Sequence, residues 1–175
     1  MTAVSLFLRY HTANALPTAE GAIQIAMEEL PITLHDARAL VIGFGRLGRA
    51  LAPRLRALGA RVWVSARRYE QRAAAESMGL GSEGVTRLSD WLCSYDLVFN
   101  TVPAPVLGVE ELAALKERAL VIDLASRPGG VNMDAASTLG VRVIWALSLP
   151  GKVAPVTSGR YIRDTVYHIM EESEL

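Results

Sequence analysis

The sequence predicts an α/β domain built on a doubly wound parallel sheet of about six strands, with linker helices flanking it at both ends. Three observations predict this. Short apolar runs alternate with amphipathic stretches of helical period along the chain, the pattern of βαβ units. Most of the apolar runs are continuous, as in strands that helices cover on both faces. A glycine-rich turn joins the first such run to the first helical stretch, at residues 43–48.

Taken in order, strands are expected at 39–44, 61–66, a short one near 85–86, and at 97–102, 120–125 and 142–145. Helices fall between them at 47–58, 69–78, 89–92, 110–116 and 134–139. In the first helix Leu47, Leu51, Leu55 and Leu58 recur at helical spacing and should pack on the sheet. Pro53 inside it removes a backbone donor and crowds the preceding turn, so it should cost stability or bend the helix. Two more helices bracket the sheet. One at 18–30 puts Ala22, Ile23, Ala26, Met27 and Leu30 on one face. The other, at 157–170, does so with Tyr161, Ile162, Thr165, Val166, Ile169 and Met170. Residues 1–17 read as an N-terminal segment or linker, and 18–175 as the domain.

Composition narrows the function classes. At 175 residues, with 51% hydrophobic and 21% charged positions, the chain suits one soluble domain with a sizeable core. Eighteen basic and eighteen acidic residues cancel, so no global field draws it to nucleic acid or to a membrane surface. The single cysteine, Cys93, excludes an internal disulfide and a multi-cysteine metal site, and fits a reducing cytoplasm. No metal-ligand spacing occurs among the other residues. The apolar run Val4-Ser5-Leu6-Phe7-Leu8 is too short for a signal-peptide core and reads as a short edge strand or linker. His11, His35 and His168 belong to no recognisable pair with a nucleophile or carboxylate.

Gly43-Phe44-Gly45-Arg46-Leu47-Gly48 fits G-x-G-x-x-G, a weak pattern alone. Its position after an apolar strand and before an amphipathic helix gives it meaning, that of a Rossmann-type dinucleotide turn. Gly43 permits the tight turn, Gly45 lets backbone N–H groups approach a pyrophosphate, and Gly48 lets helix and strand pack closely. The helix N-terminus, with Arg46 and Leu47, adds free N–H donors and partial positive charge. The next strand then runs into Ser65-Ala66-Arg67-Arg68. An NAD-preferring site usually has a carboxylate there for the ribose 2′-hydroxyl. Ser65 and Arg67 would instead suit a 2′-phosphate. The expected cofactor is NADP(H), with NAD as the alternative.

In an open parallel sheet, ligands bind beyond the carboxyl ends of the strands. Three loops fall there. Asn100-Thr101-Val102-Pro103 follows the fourth strand and is expected to line the cofactor. Asp123-Leu124-Ala125-Ser126-Arg127-Pro128-Gly129-Gly130 follows the fifth, with Asp123 placed on the cofactor and Ser126 and Arg127 on the substrate. Its two glycines permit close backbone approach. Leu149-Pro150-Gly151-Lys152-Val153-Ala154-Pro155 follows the sixth, and Lys152 is the third candidate for substrate.

Taken together these stretches, with Asn14 and Pro17-Thr18-Ala19-Glu20-Gly21-Ala22, resemble one component of bacterial dipicolinate synthases, the A subunit, from about Asn14 onward. The resemblance implies a nicotinamide-dependent oxidoreductase component that oxidises a dihydrodipicolinate-type precursor. It implies a small dicarboxylate substrate, a companion flavoprotein-like B subunit, a homo-oligomer, and work in the mother-cell cytoplasm during sporulation. Members of that family carry a further N-terminal domain before the segment that aligns with Asn14, which this chain is expected to lack. Arg127 and Lys152 would engage a substrate carboxylate, with Ser126 or Asn100 positioning it. Two other readings stand beside this one. The chain could be an NADP(H)-binding or sensing module without catalysis, or the cofactor domain of a 2-hydroxyacid dehydrogenase-like reductase. The latter normally shows a downstream histidine paired with a carboxylate, and none is found.

Overall fold

The structure, a computed structural model, describes residues 12–173. The expected edge strand at Val4–Leu8 lies outside them, as does His11. Six parallel strands form one sheet in the order β3-β2-β1-β4-β5-β6. They are β1 (Arg38–Ile42), β2 (Arg61–Ser65), β3 (Gly81–Glu83), β4 (Leu97–Asn100), β5 (Leu120–Asp123) and β6 (Arg142–Trp145). The expected doubly wound fold is the one observed.

Alternation along each strand divides the core in two. Ala39, Val41, Leu97, Phe99, Leu120 and Ile122 point to one face of the sheet. There they meet α1 (Ala15–Glu29), α2 (Arg46–Ala57) and α6 (Leu149–Val153). Leu40, Ile42, Val98 and Val121 point to the other face. They are covered by α4 (Val109–Ala113), α5 (Met133–Leu139) and two 3₁₀ turns at Leu88–Asp90 and Leu92–Ser94. Burial on both faces explains why these strands read as unbroken apolar runs.

Helix α1 begins at Ala15, earlier than expected, because Pro17 sits in its first turn, where a missing N–H is harmless. Ala15, Ala19, Ala22 and Ala26 make its buried stripe, while Met27, expected inside, is 61% exposed. Small side chains let α1 lie close to α2. Helix α2 runs without a break through Pro53. Leu51 and Leu55 are fully buried, and Leu58, expected with them, is exposed at the C-cap.

Three elements differ from expectation. The third strand is Gly81–Glu83 rather than a segment at 85–86, because Gly81 pairs with Trp63. A Cβ at Gly81 would come within 2.3 Å of the Trp63 indole, so only glycine fits there. The expected helix at 89–92 is the pair of 3₁₀ turns. The last helix, α7 (Pro155–Ser173), is longer than expected and does not bury its apolar face on the sheet. Ile162, Val166 and Met170 are exposed, since α7 leaves the sheet after α6. The remaining helix, α3 (Tyr69–Ser77), follows β2 and buries Ala75.

Candidate functional site

A cleft of about 910 Å³ opens at the carboxyl ends of the strands. It lies where the sheet order reverses, with β2 and β3 to one side of β1 and β4 to β6 on the other. The connections leave in opposite directions from such a point, so the strand ends there stand open to a ligand.

The turn between β1 and α2 forms its floor. Gly43 has φ +93°, a left-handed conformation, and a Cβ there would meet the Thr101 hydroxyl at 2.4 Å. Gly48 faces away from the cleft: a Cβ would strike the Gly43 carbonyl oxygen at 2.1 Å, so its bareness lets α2 sit on the turn. Gly45 is different. A Cβ there would meet nothing within 4 Å, and its backbone is in an ordinary extended region. Protein packing does not require a glycine at this position. The space beside it belongs to the cleft, and the first turn of α2 has no side-chain cap for its N–H groups. This is the cradle that a pyrophosphate fits. Gly43 and Gly48 thus have the turn and packing tasks expected from their spacing.

Hydrogen bonds lock the floor to its neighbours. The Gly43 N–H donates to the Ser65 carbonyl at 2.8 Å, tying the turn to β2. The Thr101 N–H and hydroxyl both donate to the Ile42 carbonyl, at 2.9 Å each, tying it to β4. Thr101 lines the cleft, but its hydroxyl is occupied in this brace.

At the β2 end, Ser65, Arg67, Arg68 and Gln71 line the cleft, and among the described residues no carboxylate does so. Ser65 is buried, with its hydroxyl 3.3 Å from the Gly84 carbonyl. Both arginines are exposed. Arg72, which no sequence motif marks, holds this corner: its guanidinium donates to the carbonyls of Ala66 at 3.0 Å and Arg67 at 3.2 Å. Its signal is weak because it does its work from inside α3.

At the β4 and β5 ends, Val102 and Pro103 line the cleft, with Leu124, Ala125 and Ser126 beside them. Asn100 and Asp123, expected against the cofactor, do not line it. Asn100 is fully buried and Asp123 is 1% exposed. Asn100 donates to Asp123 at 2.8 Å and to the Val102 carbonyl at 3.0 Å, and accepts from the Val102 N–H at 3.0 Å. Asp123 also accepts from the N–H groups of Ala125 at 3.0 Å and Gly130 at 2.9 Å. Two adjacent strand ends thus spend their polar groups on holding the loops that follow them. The close approach that the glycines permit is made to this network: a Cβ at Gly130 would lie 2.2 Å from the Asn100 amide nitrogen.

Of the residues expected on the substrate, only Ser126 lines the cleft. Arg127 is exposed, with its guanidinium 6.0 Å from the centre of the Trp145 ring. Trp145 is anchored by its indole N–H, which donates to the Ala125 carbonyl at 2.9 Å. Lys152 is exposed on α6. The structure does not bring Arg127 or Lys152 to the wall of the cleft. It does bring Asn14 and Thr18 there, from the start of α1. No group of three or more metal-binding side chains occurs among the described residues.

A six-stranded parallel sheet in this order, with a bare glycine cradle at its reversal point, defines a dinucleotide-binding domain of the NAD(P) class. The chain belongs to the family described as D-isomer specific 2-hydroxyacid dehydrogenase, NAD binding domain, whose model matches residues 3–137. It is 35% identical over 171 residues to the A subunit of dipicolinate synthase from Bacillus subtilis, covering 97% of this chain and 58% of that protein. The solved structure of the same component from Bacillus halodurans superposes with a TM-score of 0.89 at 36% identity, covering 91% of this chain and 55% of that one. The resemblance carried by the motifs is therefore borne out, and the chain spans little more than half the length of these relatives. A transhydrogenase from Sinorhizobium meliloti shares the fold alone, with a TM-score of 0.81 at 21% identity over 94% of this chain and 55% of that one. No helix of the described residues is long and apolar enough to cross a membrane.

Proposed function

We propose that this chain is the cofactor domain of a dipicolinate synthase-type oxidoreductase, holding NADP(H) in the cleft above β1. Gly43, Gly45 and the first turn of α2, including Arg46 and Leu47, receive the pyrophosphate. Gly48 keeps that helix in place. Arg67, with Arg68 beside it, receives the 2′-phosphate, while Ser65, expected there too, is buried with its hydroxyl on the Gly84 carbonyl and braces the corner instead. Val102, Pro103 and Ser126 flank the nicotinamide end, and Asn100, Thr101 and Asp123 position those loops from behind. When bound, the cofactor supplies hydride chemistry, and the protein supplies orientation and charge.

The substrate on this reading is a dihydrodipicolinate-type dicarboxylate, oxidised to dipicolinate. Arg127, next to Ser126 in the chain, and Lys152 would meet its carboxylates. A flavoprotein-like B subunit and a second copy of the chain are the proposed partners; the exposed apolar face of α7 supports contact with another polypeptide. Work in the mother-cell cytoplasm during sporulation belongs to the same proposal. One observation favours a second reading, an NADP(H)-binding module without its own substrate site: Arg127 and Lys152 stand outside the cleft.

The observation that carries the cofactor assignment is the β2 corner, where two exposed arginines line the cleft beside the glycine cradle and, among the described residues, no carboxylate does. Titration of the purified chain with NADPH and NADH tests it. NADPH should bind more tightly. Arg67→Ala should weaken NADPH roughly ten- to a hundredfold, the loss expected for about 1.5–3 kcal/mol of charged hydrogen bonding, and leave NADH unchanged. Equal affinities, indifferent to the substitution, would overturn the preference for NADP(H).

A further inference from the structure

We infer that α7 is a self-association surface, on which the same helix of a second copy of this chain lies antiparallel, with the two-fold axis at Val166. The inference rests on the second copy proposed above as a partner and is independent of the cofactor, since no residue of α7 lines the cleft.

Helix α7 is held to the molecule by its first half. Its opening turns pack on α6, with Ser158 buried and its hydroxyl donating to the Pro150 carbonyl at 2.9 Å. Tyr161 and Thr165 are half-buried, and from Val166 to Glu171 every residue is exposed. Thr165, Val166, Tyr167, His168 and Ile169 follow one another there, all weaker helix formers than Ala, Leu or Lys. A helix of such residues takes its stability from packing an amphipathic face. That face is present. Ile162, Val166 and Met170 stand four residues apart along one side of the helix, each about half exposed. The 19 residues of α7 give it a length of about 28 Å.

Charge says what covers it. The helix dipole favours acids near the N-terminus and bases near the C-terminus. In α7 the order is reversed. Its first two turns carry Arg160 and no acid, and its last turn carries Glu171 and Glu172 and no base. This costs a helix that stands alone, but it suits an antiparallel neighbour of the same sequence. Each basic end then lies level with an acidic end, and the two dipoles oppose. A parallel copy would set like charges level. An axis at Val166 places that residue against its own counterpart, Ile162 opposite Met170, and Arg160 level with Glu172. Such a contact uses one patch on both copies and closes as a dimer.

Size exclusion with light scattering gives the first test. Wild type should run at twice the mass of the chain. Val166→Asp, which sets two carboxylates face to face on the axis, should run as a monomer with its thermal melting still cooperative. Cysteine cross-linking under mild oxidation gives the second, in a Cys93→Ser background because Cys93 is exposed. Val166→Cys should link to itself. Ile162→Cys and Met170→Cys should each stay unlinked alone and form a mixed disulfide when combined. A dimer that survives Val166→Asp, or in which Ile162→Cys links to itself, overturns the inference and keeps the second copy as a partner. A monomeric wild type overturns both and leaves α7 to another polypeptide.

Discussion

Asp123 shows how a charged residue at a strand end can serve a site without touching its ligand. Its carboxylate accepts from Asn100, Ala125 and Gly130, all out of water. Removing it leaves three buried donors without an acceptor, each worth about 1–3 kcal/mol when unsatisfied, less what relaxation recovers. Asp123→Ala should therefore destabilise the fold by about 3 kcal/mol in urea titration, read as a lower midpoint at unchanged slope. Asp123→Asn should recover part of that loss. If instead Asp123→Ala keeps full stability and loses only NADPH affinity, Asp123 contacts the cofactor and its bracing role is wrong. A strand-end carboxylate on the ligand side could serve either purpose by sequence alone. Burial and the partners of its two oxygens separate the two.

Asp96 plays a comparable part between elements. It precedes β4, accepts from the Arg38 N–H at the start of β1 at 2.9 Å, and pairs with Lys116 ahead of β5. Burial pushes its carboxyl up, but hydrogen bonds from Lys116 and the Arg38 backbone, with both positive charges, outweigh this and hold it below the usual range. A group whose folded value is depressed stabilises the fold above its unfolded value, about 3.9, and loses that contribution as pH falls through the folded value. The melting temperature of Asp96→Asn should thus lie below that of wild type at neutral pH, with the gap closing as pH falls through the folded value. A gap that is constant across this range would show that the charge of Asp96 contributes nothing. Nearby Tyr95 moves the other way, pushed up to about 12 chiefly by burial, and stays neutral throughout.

These same elements show what sequence can and cannot specify. Strands β1, β2, β4 and β5 were legible because burial on both faces leaves a largely apolar run, and the partly buried edge strand β6 keeps such a run in Val143, Ile144 and Trp145. The turn at 43–48 was legible because Gly43 and Gly48 are demanded by contacts within the protein, with Gly45 between them beside the cleft. Strand β3 was not, since Gly-Ser-Glu has little strand propensity and is held by pairing to β2. Arg72 escaped for another reason: an arginine that braces a corner becomes visible only when its partners are in view.

The cleft draws its walls from the whole molecule: α1, the turns after β1 and β2, and the loops after β4 and β5. A ligand that fits it must be lost when the sheet comes apart, so binding should stabilise the domain as a unit. Linkage sets the size. At one hundred times its dissociation constant a ligand adds about 2.7 kcal/mol. For a chain of this length each kcal/mol raises the melting temperature by about 2–4 °C, so NADPH should raise it by roughly 5–10 °C. The rise should grow with the logarithm of concentration, and Arg67→Ala should shift that curve to higher concentration without changing its form. A melting temperature indifferent to NADPH at millimolar concentration would mean that the cleft holds no such cofactor, and the glycine cradle would then need another occupant.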